Sequence, residues 1–191
     1  MKIGIDVSQL AFANTGVSNY LQNLLENLLS IDNKNEYVLF FSSLRKKLPL
    51  SKLQFLQNNP KITIKTFKIP PTMLDLLWNK LHILPIESFI GDVDIFISSD
   101  WTEPPTKRAR KATILYDLIV YKYPKESHNQ TSFNPFKFII SPNIVAAQKR
   151  KLKWVKKESS KILCISQATK KDAIAILGID EKRLEVISAG I

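Results

Sequence analysis

Lys2-Ile3-Gly4-Ile5-Asp6-Val7 leads into a polar loop that closes on Asn14-Thr15-Gly16. After the loop, Val17, Tyr20, Leu21, Leu24, Leu25, Leu28 and Leu29 recur at helical spacing. The short apolar run predicts a buried strand, and the recurrence predicts an amphipathic helix of about four turns. Thr15 is a natural cap for that helix, and Gly16 lets a neighbour approach its N-terminus. Asp32-Asn33 marks its stop. A strand feeding a helix through a polar loop is the unit whose repetition decides the fold.

The unit recurs outward along the chain. Glu36–Phe41 and Ile62–Phe67 read as strands, with room for a short helix in the polar, basic stretch between them. Pro70-Pro71 opens a helix to about Leu81, with Leu74, Leu77, Trp78 and Leu81 on one face. Val93–Ile97 and Ala112–Tyr116 read as the fourth and fifth strands. Residues 124–142, with Pro124, Pro135 and Pro142, read as a long irregular loop, a feature often tied to function. A basic helix follows over Asn143–Ser159, with Ile144, Val145, Leu152 and Val155 as its inner stripe. A strand over Lys161–Ile165, a helix over Ala168–Leu177 and a strand over Leu184–Ile187 complete the pattern. Apolar strands alternating with amphipathic helices require right-handed crossovers, so the expected fold class is α/β with a doubly wound parallel sheet. Ligands in such sheets sit at the carboxyl ends of the strands, near the reversal of strand order. The loops after strands one, four, five and six are therefore the places to seek a site.

Composition narrows the classes. The chain has 191 residues, 45% hydrophobic and 24% charged, the balance of one globular domain that folds without staples. The single Cys164 excludes a disulfide framework and a multi-cysteine metal site. His82 and His128 have no partner at metal or triad spacing. No apolar run reaches the roughly 18 residues of a membrane span, and Asp6 spoils a secretory signal. The expected location is a reducing cytoplasm, at most peripheral to a membrane. Against 17 Asp+Glu stand 28 Lys+Arg, a net charge of +11 that points to anionic partners.

Several residues could carry chemistry, each with a plainer role beside it. G-x-G-x-x-G and G-x-x-x-x-G-K-[ST] are both missing, which disfavours a dinucleotide oxidoreductase and a P-loop NTPase. The loop at Thr15-Gly16 is either an anion site, through free N–H groups and the helix dipole, or a turn. Ser98-Ser99-Asp100-Trp101 follow strand four, and Tyr116-Asp117 end strand five. Tyr116 and Asp117 suit sugar hydroxyls, and equally suit a packed ring and a turn cap. Ser166 reads first as an N-cap, and Cys164 as a packing residue. Two basic clusters are Lys107-Arg108-Ala109-Arg110-Lys111 and the helix bearing Lys149, Arg150, Lys151, Lys153, Lys156 and Lys157 around Trp154. Each is a solvated face or, for the second, a contact for an anionic membrane surface. Nucleic acid is not the expected partner, because aromatic residues do not recur along either cluster.

Four segments together resemble the N-terminal half of a GT-B glycosyltransferase of the group 1 type, family four of the retaining transferases. They are Met1–Asp6 with Thr15-Gly16-Val17-Ser18-Asn19-Tyr20-Leu21, then Asp92–Phe96, then Leu115-Tyr116-Asp117-Leu118-Ile119. The fourth is Lys161–Asp172 with Gly178 and the closing Val186-Ile187-Ser188-Ala189-Gly190-Ile191. The likeness spans almost the whole chain, with departures: Tyr116 stands where many relatives have histidine, and Val120 and Ser188 stand where proline is usual.

The resemblance implies a single Rossmann-like, acceptor-side domain over residues 1–191. A second, donor-binding domain would not be encoded here, as in a truncated chain or a split or degenerate gene. It implies transfer of a sugar from a nucleotide-sugar donor to a polysaccharide or glycolipid acceptor, with no metal and no other cofactor. Thr15 and Gly16 would face the donor diphosphate, while Tyr116, Asp117 and Ser166 would line the sugar and acceptor pocket. Apart from the resemblance, the basic helix itself makes Lys149, Arg150, Lys153, Lys156 and Lys157 the expected anionic surface contact. These residues alone would bind acceptor weakly and not turn over. Two rival readings are a non-catalytic module of the same fold that pairs with a catalytic chain, and a basic nucleic-acid-binding α/β protein.

Overall fold

Five consecutive buried residues, Tyr37 to Phe41, explain why the sheet is covered on both sides. Such a run suits a parallel strand, which has no face for water. In the computed structural model, which describes residues 1–50, 53–56, 59–123 and 144–188, that run lies in β2 (Glu36–Ser42). It pairs with β1 (Lys2–Asp6) on one side and β3 (Ile62–Phe67) on the other. Across β1 come β4 (Ile95–Ser98), β5 (Arg110–Leu115), β6 (Lys161–Cys164) and β7 (Leu184–Val186). The order is β3-β2-β1-β4-β5-β6-β7, and every pairing is parallel. The chain thus builds outward from β1 in one direction, returns, and builds outward in the other. The reversal lies between β1 and β4, where the loops leave to opposite faces and open a crevice at the carboxyl edge. The doubly wound, Rossmann-like α/β fold expected from the sequence is the fold of the protein.

One face is covered by α1 (Gly16–Ile31), which buries Tyr20, Leu21 and Leu25 with Ile5, Leu39 and Phe41. The Thr15 hydroxyl accepts from the Ser18 N–H at 3.2 Å, the cap expected there. The other face is covered by α2 (Pro71–Leu74), α3 (Glu87–Ile90), α5 (Ile144–Glu158) and α6 (Gln167–Leu177), with a short α4 (Ile119–Lys122) between β5 and α5. Ser166 caps α6 by accepting from the Thr169 N–H at 3.1 Å. Gly178 closes it in the left-handed region at φ +59, which a glycine adopts without a Cβ clash. Cys164 packs in the β6 core, and burial pushes its thiol up to about 11. Among the described residues no helix is long and apolar enough to cross a membrane.

The expected irregular loop over 124–142 with His128, the helix start at Asn143, and Ala189-Gly190-Ile191 lie outside the described residues. Two other expectations shift. Pairing of β4 begins at Ile95 rather than Val93, because Asp94 is used as a tether. Its carboxylate accepts from the Lys2 N–H at 2.7 Å, and its own N–H donates to Lys2 O at 2.8 Å. The helix over 71–81 changes pitch after Leu74 and runs as a π-helix over Asp75–Lys80. The wider turn keeps Leu74 and Trp78 inside but carries Leu81 off the apolar stripe and into solvent.

Gly4 sits against Ile90 of α3 and Phe96 of β4. A Cβ there would lie 2.8 Å from Ile90 Cδ1 and 2.9 Å from Phe96 Cδ2. Gly4→Ala is therefore expected to cost about 1–3 kcal/mol of stability through overpacking. A urea midpoint unchanged from wild type would contradict this contact.

Candidate site at the carboxyl edge of the sheet

β1 ends in Asp6 and β4 ends in Ser98-Ser99-Asp100, so two carboxylates arrive at the crevice from neighbouring strands. Both are enclosed. The Ser8 N–H donates to Asp6 Oδ1 at 2.9 Å, and Gln148 Nε2 donates to Asp100 Oδ1 at 3.2 Å. The cation between them comes from α5: Lys151 is buried, and its ammonium donates to Ser99 O. Burial dominates all three groups. It pushes the Asp6 and Asp100 carboxyls up and the Lys151 ammonium down; attraction to Lys151 opposes the first two shifts, and attraction to Glu103, Asp100 and Asp6 opposes the third.

Along the same edge, Tyr116 follows β5 and is buried. Its ring meets the Tyr20 ring edge-on at 5.7 Å, and its hydroxyl pairs with Ser99 Oγ at 3.2 Å. Burial pushes the phenol up. The Tyr116 carbonyl accepts from Thr169 Oγ1 at 3.0 Å, which ties β5 to the first turn of α6 beside Ser166. Tyr20 lies one turn beyond Gly16. Thr15, Gly16, Tyr116, Asp117 and Ser166 therefore share the carboxyl edge, at the starts of α1 and α6 and the end of β5.

Their individual settings differ. Thr15 and Gly16 are exposed, and a Cβ on Gly16 would touch nothing within 4 Å, so the space before α1 is open. A pocket of about 50 Å³ adjoins this turn, lined in part by Asn14, Ser18, Asn19 and Gln22. That is far below the roughly 300–1,000 Å³ of a small-molecule site. Asp117 is exposed and accepts from the Ile119 N–H at 3.0 Å, a turn just before α4. Ser166 is half-buried and engaged by Thr169. The Tyr116 side chain is turned inward, while its neighbours Asp117 and Ser166 reach solvent.

The basic helix is divided in the same way. Lys149, Lys153, Lys156 and Lys157 are exposed. Arg150 is half-buried, with its guanidinium 2.6 Å from Asp75. Lys151 turns inward altogether. The first basic cluster also loses a member: Lys111 is buried between Glu103, at 3.1 Å, and Glu158, at 2.8 Å. Ser98 Oγ donates to Glu103, so this ion pair lies directly behind the end of β4.

His82 finds its partner far along the chain, not at metal or triad spacing. Its Nε2 lies 2.9 Å from Glu158 Oε1, and its ring stacks on Trp154 at 3.6 Å and 5°. Burial would push the Glu158 carboxyl up, but the Lys111 ammonium and His82 outweigh it and hold the carboxyl below its usual range.

Lys151 and Lys111 are the residues missed from sequence, and a signal for each was there. Lys151 falls midway between Ala147 and Val155 on the buried i, i+4 row of α5. Lys111 alternates with Ala109 and Thr113, both buried, on the inward side of β5. No protein-family model matches the chain, and comparison with curated proteins returns no match.

Proposed function

We propose that this chain is the acceptor-side half of a two-domain retaining sugar transferase of the GT-B type, using a nucleotide-sugar donor and a polysaccharide or glycolipid acceptor. The observation that carries this reading is the Tyr20–Tyr116 contact. It brings the open N-terminus of α1 onto the same stretch of sheet edge as Asp117 and Ser166. In this reading the first-turn N–H groups at Gly16 and the α1 dipole face the donor diphosphate. Asp117 and Ser166 face hydroxyl groups of the acceptor. Transfer breaks the bond from the anomeric carbon to the diphosphate oxygen and forms one to the acceptor oxygen. The acceptor proton goes to the departing phosphate, whose charge needs stabilisation. A second domain would supply most of that stabilisation, so the 191 residues alone are expected not to turn over.

Amide NMR titrations of the 191-residue chain test the reading. A panel of nucleotide sugars is expected to shift residues 15–18, and neutral oligosaccharides residues 117–119 and 166–169. Shifts confined to the opposite edge, around Lys2, Asp94 and Arg110, would overturn it. So would sugar transfer by the purified chain without a second polypeptide.

A further inference from the structure

Within residues 73–84, Met73, Leu76, Leu81, Ile83 and Leu84 are each between 44 and 55% exposed. They form one ridge. Met73 and Leu76 lie on the outer side of α2 and its π-helical continuation, whose inner side carries Leu74 and Trp78 into the core. Leu81, Ile83 and Leu84 belong to the turn that follows. This turn is held from beneath. Trp78 Nε1 donates to Leu84 O at 2.9 Å, the Ile83 N–H donates to Leu77 O at 2.9 Å, and His82 Nδ1 meets Trp78 O at 2.8 Å. His82 and Leu84 hold left-handed φ values of +52 and +59, which residues with a Cβ adopt only at a cost. A costly backbone that presents large apolar side chains to water points to a contact.

Cations border the ridge. The His82 ring, between Leu81 and Ile83, stacks on Trp154 of α5, and Lys157 Nζ lies 4.9 Å from the centre of the Trp154 ring. Arg150 reaches Asp75, and Trp154 Nε1 donates to Asn79 O at 2.9 Å, so this side of α5 adjoins the π-helix. Lys157 follows Arg150 and Trp154 on that side at i+7 and i+3, and Lys153 lies next round the helix. Lys153 and Lys157 are exposed and have no carboxylate partner within ion-pair distance among the described residues. Lys80 adds a further exposed cation within the ridge.

We propose that residues 73–84 and the adjoining lysines of α5 form a docking surface for an anionic lipid bilayer. The apolar ridge enters the acyl boundary, and the lysine stems lie along it with their ammonium groups at the lipid phosphates. A second copy of this chain fits less well, because a symmetric pairing of the ridge would set one cationic rim against the other. The proposal goes beyond the sugar-transfer reading and does not depend on it.

Sedimentation with vesicles tests it. The protein is expected to pellet with vesicles of phosphatidylcholine containing phosphatidylglycerol at least about tenfold more than with phosphatidylcholine alone, and less at high salt. Leu81→Asp/Ile83→Asp is expected to lose about tenfold or more of that binding, and Lys153→Glu/Lys157→Glu to lose the preference for anionic vesicles. Both variants change exposed side chains, and near-ultraviolet circular dichroism checks that they fold. A nitroxide on Ile83→Cys, selective because Cys164 is buried, is expected to gain accessibility to oxygen when vesicles are added. Absence of pelleting, equal pelleting with both lipids, or unchanged pelleting of Leu81→Asp/Ile83→Asp would overturn the proposal. So would a concentration-dependent dimer abolished by the same pair of substitutions.

Discussion

Replacing Lys111 with methionine is expected to cost about 3–5 kcal/mol of folding stability, because it leaves the buried Glu103 without its ion-pair partner. Glu103 is fully enclosed, and Lys111 Nζ lies 3.1 Å from one of its oxygens and 2.8 Å from Glu158. A domain has only about 5–15 kcal/mol in total, so a large share of the margin disappears. The mechanism is separable from lost packing. Lys111→Met/Glu103→Gln removes the charge together with its partner and is expected to recover the larger part of the loss. Ser98 and Ser159 remain to hydrogen-bond the amide. A double-mutant cycle from urea denaturation measures the coupling. A double variant no more stable than Lys111→Met would mean that the cost lies in shape and not in charge.

Lys151→Met is the second large effect, and it carries a pH signature. Above the carboxylate range, removing the ammonium leaves Asp6 and Asp100 without their common countercharge and Ser99 O without its donor, a loss of about 3–5 kcal/mol. Burial holds both carboxyls above their ordinary value in the folded protein. As pH falls, the folded state therefore takes up protons before the unfolded chain does, and stability is regained. The regained part is complete near the unfolded value of about 3.9 and is lost as pH rises through the folded values. Urea midpoints for wild type and variant across this range decide the matter. A deficit that stays constant with pH would show that these carboxylates do not feel Lys151.

The two lysines also mark where the sequence stops being informative. Strand and helix positions were legible because periodicity is local. Val17 to Leu29 report a helix whatever surrounds them, and Thr15 and Ser166 cap the helices that follow them through bonds only three residues long. The doubly wound parallel class followed from alternation and crossover handedness, which need no knowledge of side-chain contacts. Burial of a lysine is different, because it is decided by groups far along the chain. Lys111 is inside because Glu103 and Glu158 are there, and Lys151 because Glu103, Asp100, Asp6 and Ser99 are. His82 looked isolated for the same reason: Glu158 lies 76 positions away. The pitch change at Asp75 has no local marker either. It follows from seating Trp78 between Phe40 and Phe89 while Asn79 and Asp75 reach Trp101 and Arg150.

Helix α5 joins the turn at His82 to the crevice at the end of β4. Trp154 and Glu158 grip the turn at His82 on the outside, while Lys151, less than one turn away, grips Ser99 within the crevice. A helix of this length behaves as a stiff rod, rising about 1.5 Å and turning about 100° for each residue. It cannot roll or slide at its outer end without dragging the inner ammonium off its carbonyl. Any force applied to the molecule's flank through Trp154 is thus delivered as torque to the seam between the first and fourth strands.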